Sequence, residues 1–108
     1  MKQVKQGFKI TGGRGFHITF KNGVTVSVQF GLYNYRLHYN SDADNNEQLM
    51  KDGMLESPDA EIAIFDAKGK WLTNKWQEGL SDDIKGYVEP GEVLDALIWA
   101  EKYKKKEI

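Results

Sequence analysis

The segment from Gln29 to Asn40 holds the densest collection of recognition chemistry in the chain: three Tyr with Arg, Asn, Gln and His within twelve residues. Tyr supplies rigid amphipathic area at low entropic cost, while Arg and Asn supply directional hydrogen bonds. Gln29, Tyr33, Asn34, Tyr35, Arg36, His38 and Tyr39 are therefore the candidate binding residues. The competing reading is a strand whose tyrosines pack beside the core and keep their hydroxyls wet.

Reactive chemistry is poorly supported. His17 and His38 could serve as acid and base in a phosphodiesterase, yet no repeated motif surrounds them. Composition alone does not remove a Ser-His-Asp triad, but no nucleophile elbow of the G-x-S-x-G kind is present. The run Asp42-Ala43-Asp44-Asn45-Asn46-Glu47 suggests a calcium loop. An EF-hand requires Gly at its sixth position and Glu at its twelfth, where this chain has Glu47 and Gly53. An irregular cation site competes there with a solvated acidic loop. A hydrolase built on Asp42, Asp44, Glu47 and His38 rests on residue type alone. Gly12-Gly13-Arg14-Gly15 could offer N–H groups and a guanidinium to a phosphate. It fits no P-loop or dinucleotide fingerprint and reads better as a turn between strands. No catalytic residue, metal ligand or cofactor is assigned.

The elements that position these residues are legible from periodicity. Phe16, Ile18 and Phe20 alternate with His17 and Thr19, and Val24, Val26, Val28 and Phe30 alternate with Thr25, Ser27 and Gln29. Such period-two patterns mark half-buried strands. A two-residue turn at Asn22-Gly23 would mix apolar and polar residues on each face. A three-residue loop with Gly23 left-handed instead pairs Phe20 with Val24, Ile18 with Val26 and Phe16 with Val28. Burial selects that register, and the polar reverse side is expected to be a solvated outer surface. Phe8 to Ile10 reads as a short first strand, and Glu61 to Phe65 as a further long one. Gly69 predicts a second loop of the same kind, setting Asp66 opposite Lys70 and Phe65 opposite Trp71, with Trp71-Leu72-Thr73 as the returning strand. Residues 40–59 form a long polar connection, with a weak helical turn near Glu47 to Lys51. A short extended piece, Gly86-Tyr87-Val88, precedes a helix opened by Glu89-Pro90. On that helix Val93, Leu97 and Ala100 form the core stripe, with Leu94 beside them. Trp99 lies off the stripe and is the remaining candidate binding residue, as cover for a sheet edge or as an exposed anchor.

The expected fold is thus α+β: an antiparallel sheet of hairpins packed against one C-terminal amphipathic helix. At 108 residues the chain reads as one domain, 1–108. Its net charge of -1 gives no global pull towards nucleic acid or acidic lipid. It has no Cys, which removes disulfides, thiolate zinc sites and Cys nucleophiles. The N-terminus does not resemble a signal peptide, no segment approaches a membrane span, and a cytoplasmic location fits best.

The stretch from Gly15 to Gly31, followed by Asn34-Tyr35, resembles a group of small phage- and prophage-encoded proteins. In that group an F-H-x-T-F-x-N-G-x-T-V-S-V-Q-F-G hairpin precedes N-Y. An acidic pair, a G-Y/W-V turn and a C-terminal helix follow, like Asp82-Asp83, Gly86-Tyr87-Val88 and the final helix here. Where relatives carry Cys-Asp or a similar pair after N-Y, this chain has Arg36-Leu37, so no cysteine role carries over. The resemblance implies a phage origin rather than a mechanism. The leading expectation is a non-enzymatic binding module that occupies and inhibits a host protein, including a defence or CRISPR effector. The alternative is a small-ligand or single-stranded nucleic-acid binder stacking bases on Tyr33, Tyr35 and Tyr39, with Arg14 and Arg36 on phosphates. A homodimer through a sheet edge or Trp99 is open.

Overall fold

In the computed structural model, residues 6–11, 15–30 and 57–104 are described. Five strands, β1 (Gly7–Ile10), β2 (Gly15–Thr19), β3 (Thr25–Gln29), β4 (Ala60–Phe65) and β5 (Ile84–Val88), form one sheet in sequential order. Every neighbouring pair is antiparallel. A short helix α1 (Thr73–Trp76) leads into β5, and the helix α2 (Pro90–Lys102) closes the chain against the sheet. The fold is α+β.

The register follows burial, as the alternation requires. Phe16 faces Val28 and Ile18 faces Val26. The Phe20 amide donates to Val24 O at 3.0 Å and the Gly23 amide to Phe20 O at 2.9 Å. Gly23 sits at φ 86, so the Asn-Gly pair belongs to a three-residue bulged loop. The second loop repeats it: Asp66 N donates to Lys70 O at 2.9 Å, Gly69 N to Asp66 O at 2.9 Å, and Gly69 has φ 84. The Asp66 carboxylate accepts the Lys68 and Lys70 amides, each at 2.9 Å. Phe65 then pairs with Trp71 through a single bridge.

The returning strand expected at Trp71-Leu72-Thr73 does not continue. The Leu72 amide donates to Ile64 O at 2.7 Å, and the Thr73 hydroxyl takes the place of the next rung. It accepts from Ile64 N at 2.9 Å and donates to Ile64 O at 3.3 Å, wholly buried. With the ladder satisfied by a side chain, the backbone is free to turn into α1. β5 completes the other half of the same β4 edge, with a bulge between Ala60 and Ile62. Tyr87 takes φ 57 there, a conformation costly for any residue bearing a Cβ.

Val24, Val26, Val28, Ile62, Ile64, Leu72 and Val88 are buried with Ala96 and Ala100 of α2. Phe16, Ile18, Phe20 and Phe30 pack around them. Pro90 occupies the first turn of α2, and Glu92 closes a capping box with Glu89, accepting its amide at 3.3 Å. Glu92 also binds Lys85 Nζ at 2.7 Å, which holds its carboxyl below the ordinary range. The same ammonium reaches Gln77 Oε1 at 2.8 Å and lies 5.3 Å from the Trp76 ring, tying β5 to both helices.

Two helix expectations are corrected. Leu94 does not flank the core stripe. It is 57% exposed and, at about 100° per residue, lies with Ile98 on the side of α2 opposite Ala96. Trp99 is not an exposed anchor. It is half-buried, packs on the core, and stacks at a tilt on Tyr103 with ring centroids 5.1 Å apart. The buried stripe is wider than Val93, Leu97 and Ala100: Ala96 and Trp99 also pack on the core, where α2 meets β3 and β4. Residues on both flanks of the small, deeply buried Ala96 and Ala100 therefore reach the sheet.

Candidate binding face

The strand pairings align two rows of side chains across the face turned away from α2. One row runs Lys9, His17, Ser27, Ala63 and Ile84. The next runs Thr19, Thr25, Phe65 and Trp71. His17 meets Phe65 edge-on at 5.7 Å between centroids, and Phe65 meets Trp71 edge-on at 5.7 Å. Edge-to-face contact at this spacing is favourable for aromatic rings. The result is a continuous aromatic chain from β2 across β4 to Trp71, beyond the Gly69 loop. At its end Trp71 is 42% exposed, and Ile84 lies exposed in the adjoining row.

The expectation of a fully solvated reverse side is corrected. Thr25 and Ser27, on the central strand β3, are buried, with Thr25 between Thr19 and Phe65 and Ser27 between His17 and Ala63. Each hydroxyl makes a hydrogen bond within the sheet. Thr19 and Thr25 share a hydrogen bond of 2.7 Å. Gln29 Nε2 donates to Ser27 Oγ at 3.1 Å and to Thr11 Oγ1 at 2.9 Å. Buried polar groups cost little when paired in this way, so the face is a packed surface with a hydrogen-bonded centre.

Gly15 makes the Gln29 arrangement possible. A Cβ at Gly15 would overlap the Val28 carbonyl oxygen and lie 2.9 Å from both Gln29 Cα and its side-chain carboxamide carbon. Absence of a side chain lets the carboxamide lie across β2 and reach Thr11, just past the end of β1. His17 has its pKa lowered, first by desolvation and then by nearby Lys9, so the neutral imidazole is favoured on this face.

Of the residues singled out in the sequence, Gln29 is on this face with its amide engaged, and Trp99 is on α2, on the opposite side of the sheet. Tyr33, Asn34, Tyr35, Arg36, His38 and Tyr39 lie outside the described residues, as do Arg14 and the acidic run 42–47. Among the described residues no group of three or more His, Asp or Glu is placed to hold a metal ion. No described helix is long and apolar enough to cross a membrane. Sequence reasoning paired Phe65 with Trp71 but missed the extension through His17. The hairpin register set His17 opposite Ser27, but the pairing of β3 with β4 that brings Phe65 into the next row is seen only in the structure.

A separate groove of about 540 Å³ opens where the two loops meet the end of α2, lined by Asn22, Val24, Asp66, Ala67, Lys68, Tyr103 and Lys104. Its floor is structural. Asn22 Nδ2 reaches the carbonyls of Ala100, Glu101 and Tyr103 at 2.8, 3.2 and 2.9 Å, while its Oδ1 accepts the Val24 amide at 3.0 Å. One turn residue therefore caps the C-terminal helix from the far side of the sequence.

Comparisons with protein-family models, curated proteins and solved structures return no match.

Proposed function

We propose that the protein is a non-enzymatic binding module that holds a partner protein against the sheet face opposite α2. The observation that carries this reading is the His17–Phe65–Trp71 chain ending in a half-exposed indole. An aromatic and apolar centre of Phe65, Trp71, Ala63 and Ile84, rimmed by Lys9, Thr19 and Gln29, has the composition of a protein interface. Such interfaces combine a desolvated aromatic core with a polar rim. Trp is the residue type most enriched among binding hot spots. The Thr25 and Ser27 hydroxyls support the reading, because each already makes a hydrogen bond within the sheet and costs less to cover than an unpaired group.

The resemblance to phage-encoded proteins points to a bacterial host protein as the partner and inhibition as the outcome, with defence and CRISPR effectors as targets. Action in the host cytoplasm follows from that reading. The test is capture from host lysate on immobilised protein, with Trp71→Ala as the matched control and far-ultraviolet circular dichroism to establish that the control is folded. The reading expects a partner retained by the wild type and lost by Trp71→Ala. A partner retained equally by both would move the site elsewhere. Binding of single-stranded oligonucleotides in place of a protein would transfer the aromatic chain to base stacking.

A further inference from the structure

At the edge of the sheet formed by the described residues, β1 carries their two most exposed large apolar side chains, Phe8 at 76% and Ile10 at 80%. Phe8 faces Ile18 and Ile10 faces Phe16, so both belong to the core face of the sheet. The helix rests on β3 and β4, and this apolar face runs on past it to the edge.

Thr11 N donates to Gly15 O at 3.0 Å. Hydrogen-bonded and non-hydrogen-bonded pairs alternate along an antiparallel ladder, so Gly7, Lys9 and Thr11 direct their backbone groups towards β2. Phe8 and Ile10 direct theirs outwards. The same two residues therefore present exposed apolar side chains and outward-facing peptide groups, the combination that templates strand addition.

We propose that β1 pairs antiparallel with β1 of a second copy of this chain, with Phe8 on the twofold axis. The second copy is chosen because the strand is self-complementary, and Lys9 disfavours a register centred on itself. Centring the pair on Lys9 would set it directly against Lys9 of the second copy at a Cα separation of about 4.5 Å, which is repulsive. Centring on Phe8 keeps every apolar residue on one face, places Ile10 opposite Gln6, and sets Lys9 opposite Gly7. A Cβ position on Gly7 meets nothing within 4 Å, so the lysine stem has room to lie there. The twofold axis then stands normal to the sheet. Both α2 helices fall on one side, flanking a shared apolar strip of Phe8, Ile10, Phe16 and Ile18. Both copies of the aromatic chain fall on the other, so the dimer displays the proposed partner-binding face twice. Phe8 and Ile10 from two copies supply less than the roughly 1,200 Å² of a stable standard interface, which makes the dimer weak and concentration-dependent.

The test combines sedimentation with cross-linking in a chain that has no native Cys. Sedimentation equilibrium should show a monomer–dimer equilibrium in the high micromolar range, shifted to monomer by Phe8→Pro. That substitution removes an outward N–H and spares the ladder to β2. In the Phe8-centred register two copies of residue 8 stand about 5.5 Å apart, within disulfide reach. Two copies of residue 9 stand about 8 Å apart on the diagonal, outside it. Mild oxidation should therefore yield covalent dimer from Phe8→Cys and not from Lys9→Cys. A wild type monomeric at all concentrations to about 1 mM would overturn the proposal. A dimer unaffected by Phe8→Pro, or Lys9→Cys cross-linking as readily as Phe8→Cys, would also overturn it. Loss of partner capture in Trp71→Ala leaves these readouts unchanged, so the two proposals fail separately.

Discussion

Replacing Asn22 by Asp separates two accounts of the first hairpin loop. Asp-Gly suits tight β-turn connections about as well as Asn-Gly, so an Asn chosen only for its turn could be exchanged at little cost. Asn22 also lends its amide to the carbonyls of Ala100, Glu101 and Tyr103. The amide has two hydrogens, so two of these three contacts are satisfied at once. At about 0.5–1.5 kcal/mol net for each hydrogen bond, reduced by partial exposure, Asn22→Ala should cost about 1–2 kcal/mol. Asn22→Asp keeps an oxygen for the Val24 amide but removes both donors and brings a negative charge to the negative end of α2. The charge adds about 0.3–1 kcal/mol at low salt, for a total of about 2–3 kcal/mol. Helix–carbonyl repulsion raises the folded-state pKa of the introduced Asp above its unfolded value. The protonated form, which can donate, is then favoured in the fold. The variant's deficit should shrink as the pH falls towards 4, and shrink with added salt at neutral pH. Urea unfolding followed by circular dichroism at 222 nm reads all three quantities. If Asn22→Asp lies within about 0.5 kcal/mol of wild type at pH 7, the long-range cap contributes nothing and the reasoning fails.

Three further outcomes follow from the same geometry. Gly15→Ala should destabilise by about 1–3 kcal/mol, because its Cβ meets backbone rather than a movable side-chain end; equilibrium unfolding measures it, and wild-type stability would show that β2 and β3 can part at no cost. Thr73→Val, isosteric but without the hydroxyl, leaves the buried Ile64 amide unpaired and should cost about 1–3 kcal/mol by the same measurement, whereas a neutral result would mean the amide finds another acceptor. His17 has a folded-state pKa below its ordinary 6.5, so the unfolded chain binds its proton first. Stability should therefore rise with pH across the window just below 6.5, and His17→Gln should remove that part of the slope; an unchanged profile would show that burial does not favour the neutral ring.

The hairpins were the most legible part of the fold because one-sided burial leaves only one register that keeps Phe16, Ile18, Val26 and Val28 together. The helix start was equally readable, since Glu89, Pro90 and Glu92 are local signals needing no tertiary context. What failed were inferences that need to know where elements lie in space. Leu94 sits beside Val93 in sequence but on the outer side of the helix, and Trp99 reaches the core only because Ala96 and Ala100 let α2 settle close. The strand after Trp71 ended early because the Thr73 hydroxyl substitutes for a ladder rung, which no periodicity encodes. Part of the site was readable. The Phe65–Trp71 pair followed from the Gly69 loop, but the burial of Thr25 and Ser27 depends on β4 pairing beside β3, a strand order that the alternation of the hairpin does not encode.

The central claim, that the face opposite α2 holds a protein partner, is tested most directly by calorimetric titration of a purified captured partner. Three forms are compared: wild type, Trp71→Ala, and Leu94→Lys on the outward side of the helix. A buried Trp hot spot is worth about 2 kcal/mol or more, so Trp71→Ala should weaken binding by roughly 30-fold or more. Leu94→Lys should leave it unchanged. Full affinity in Trp71→Ala with a loss in Leu94→Lys would place the partner on the helix and contradict the account.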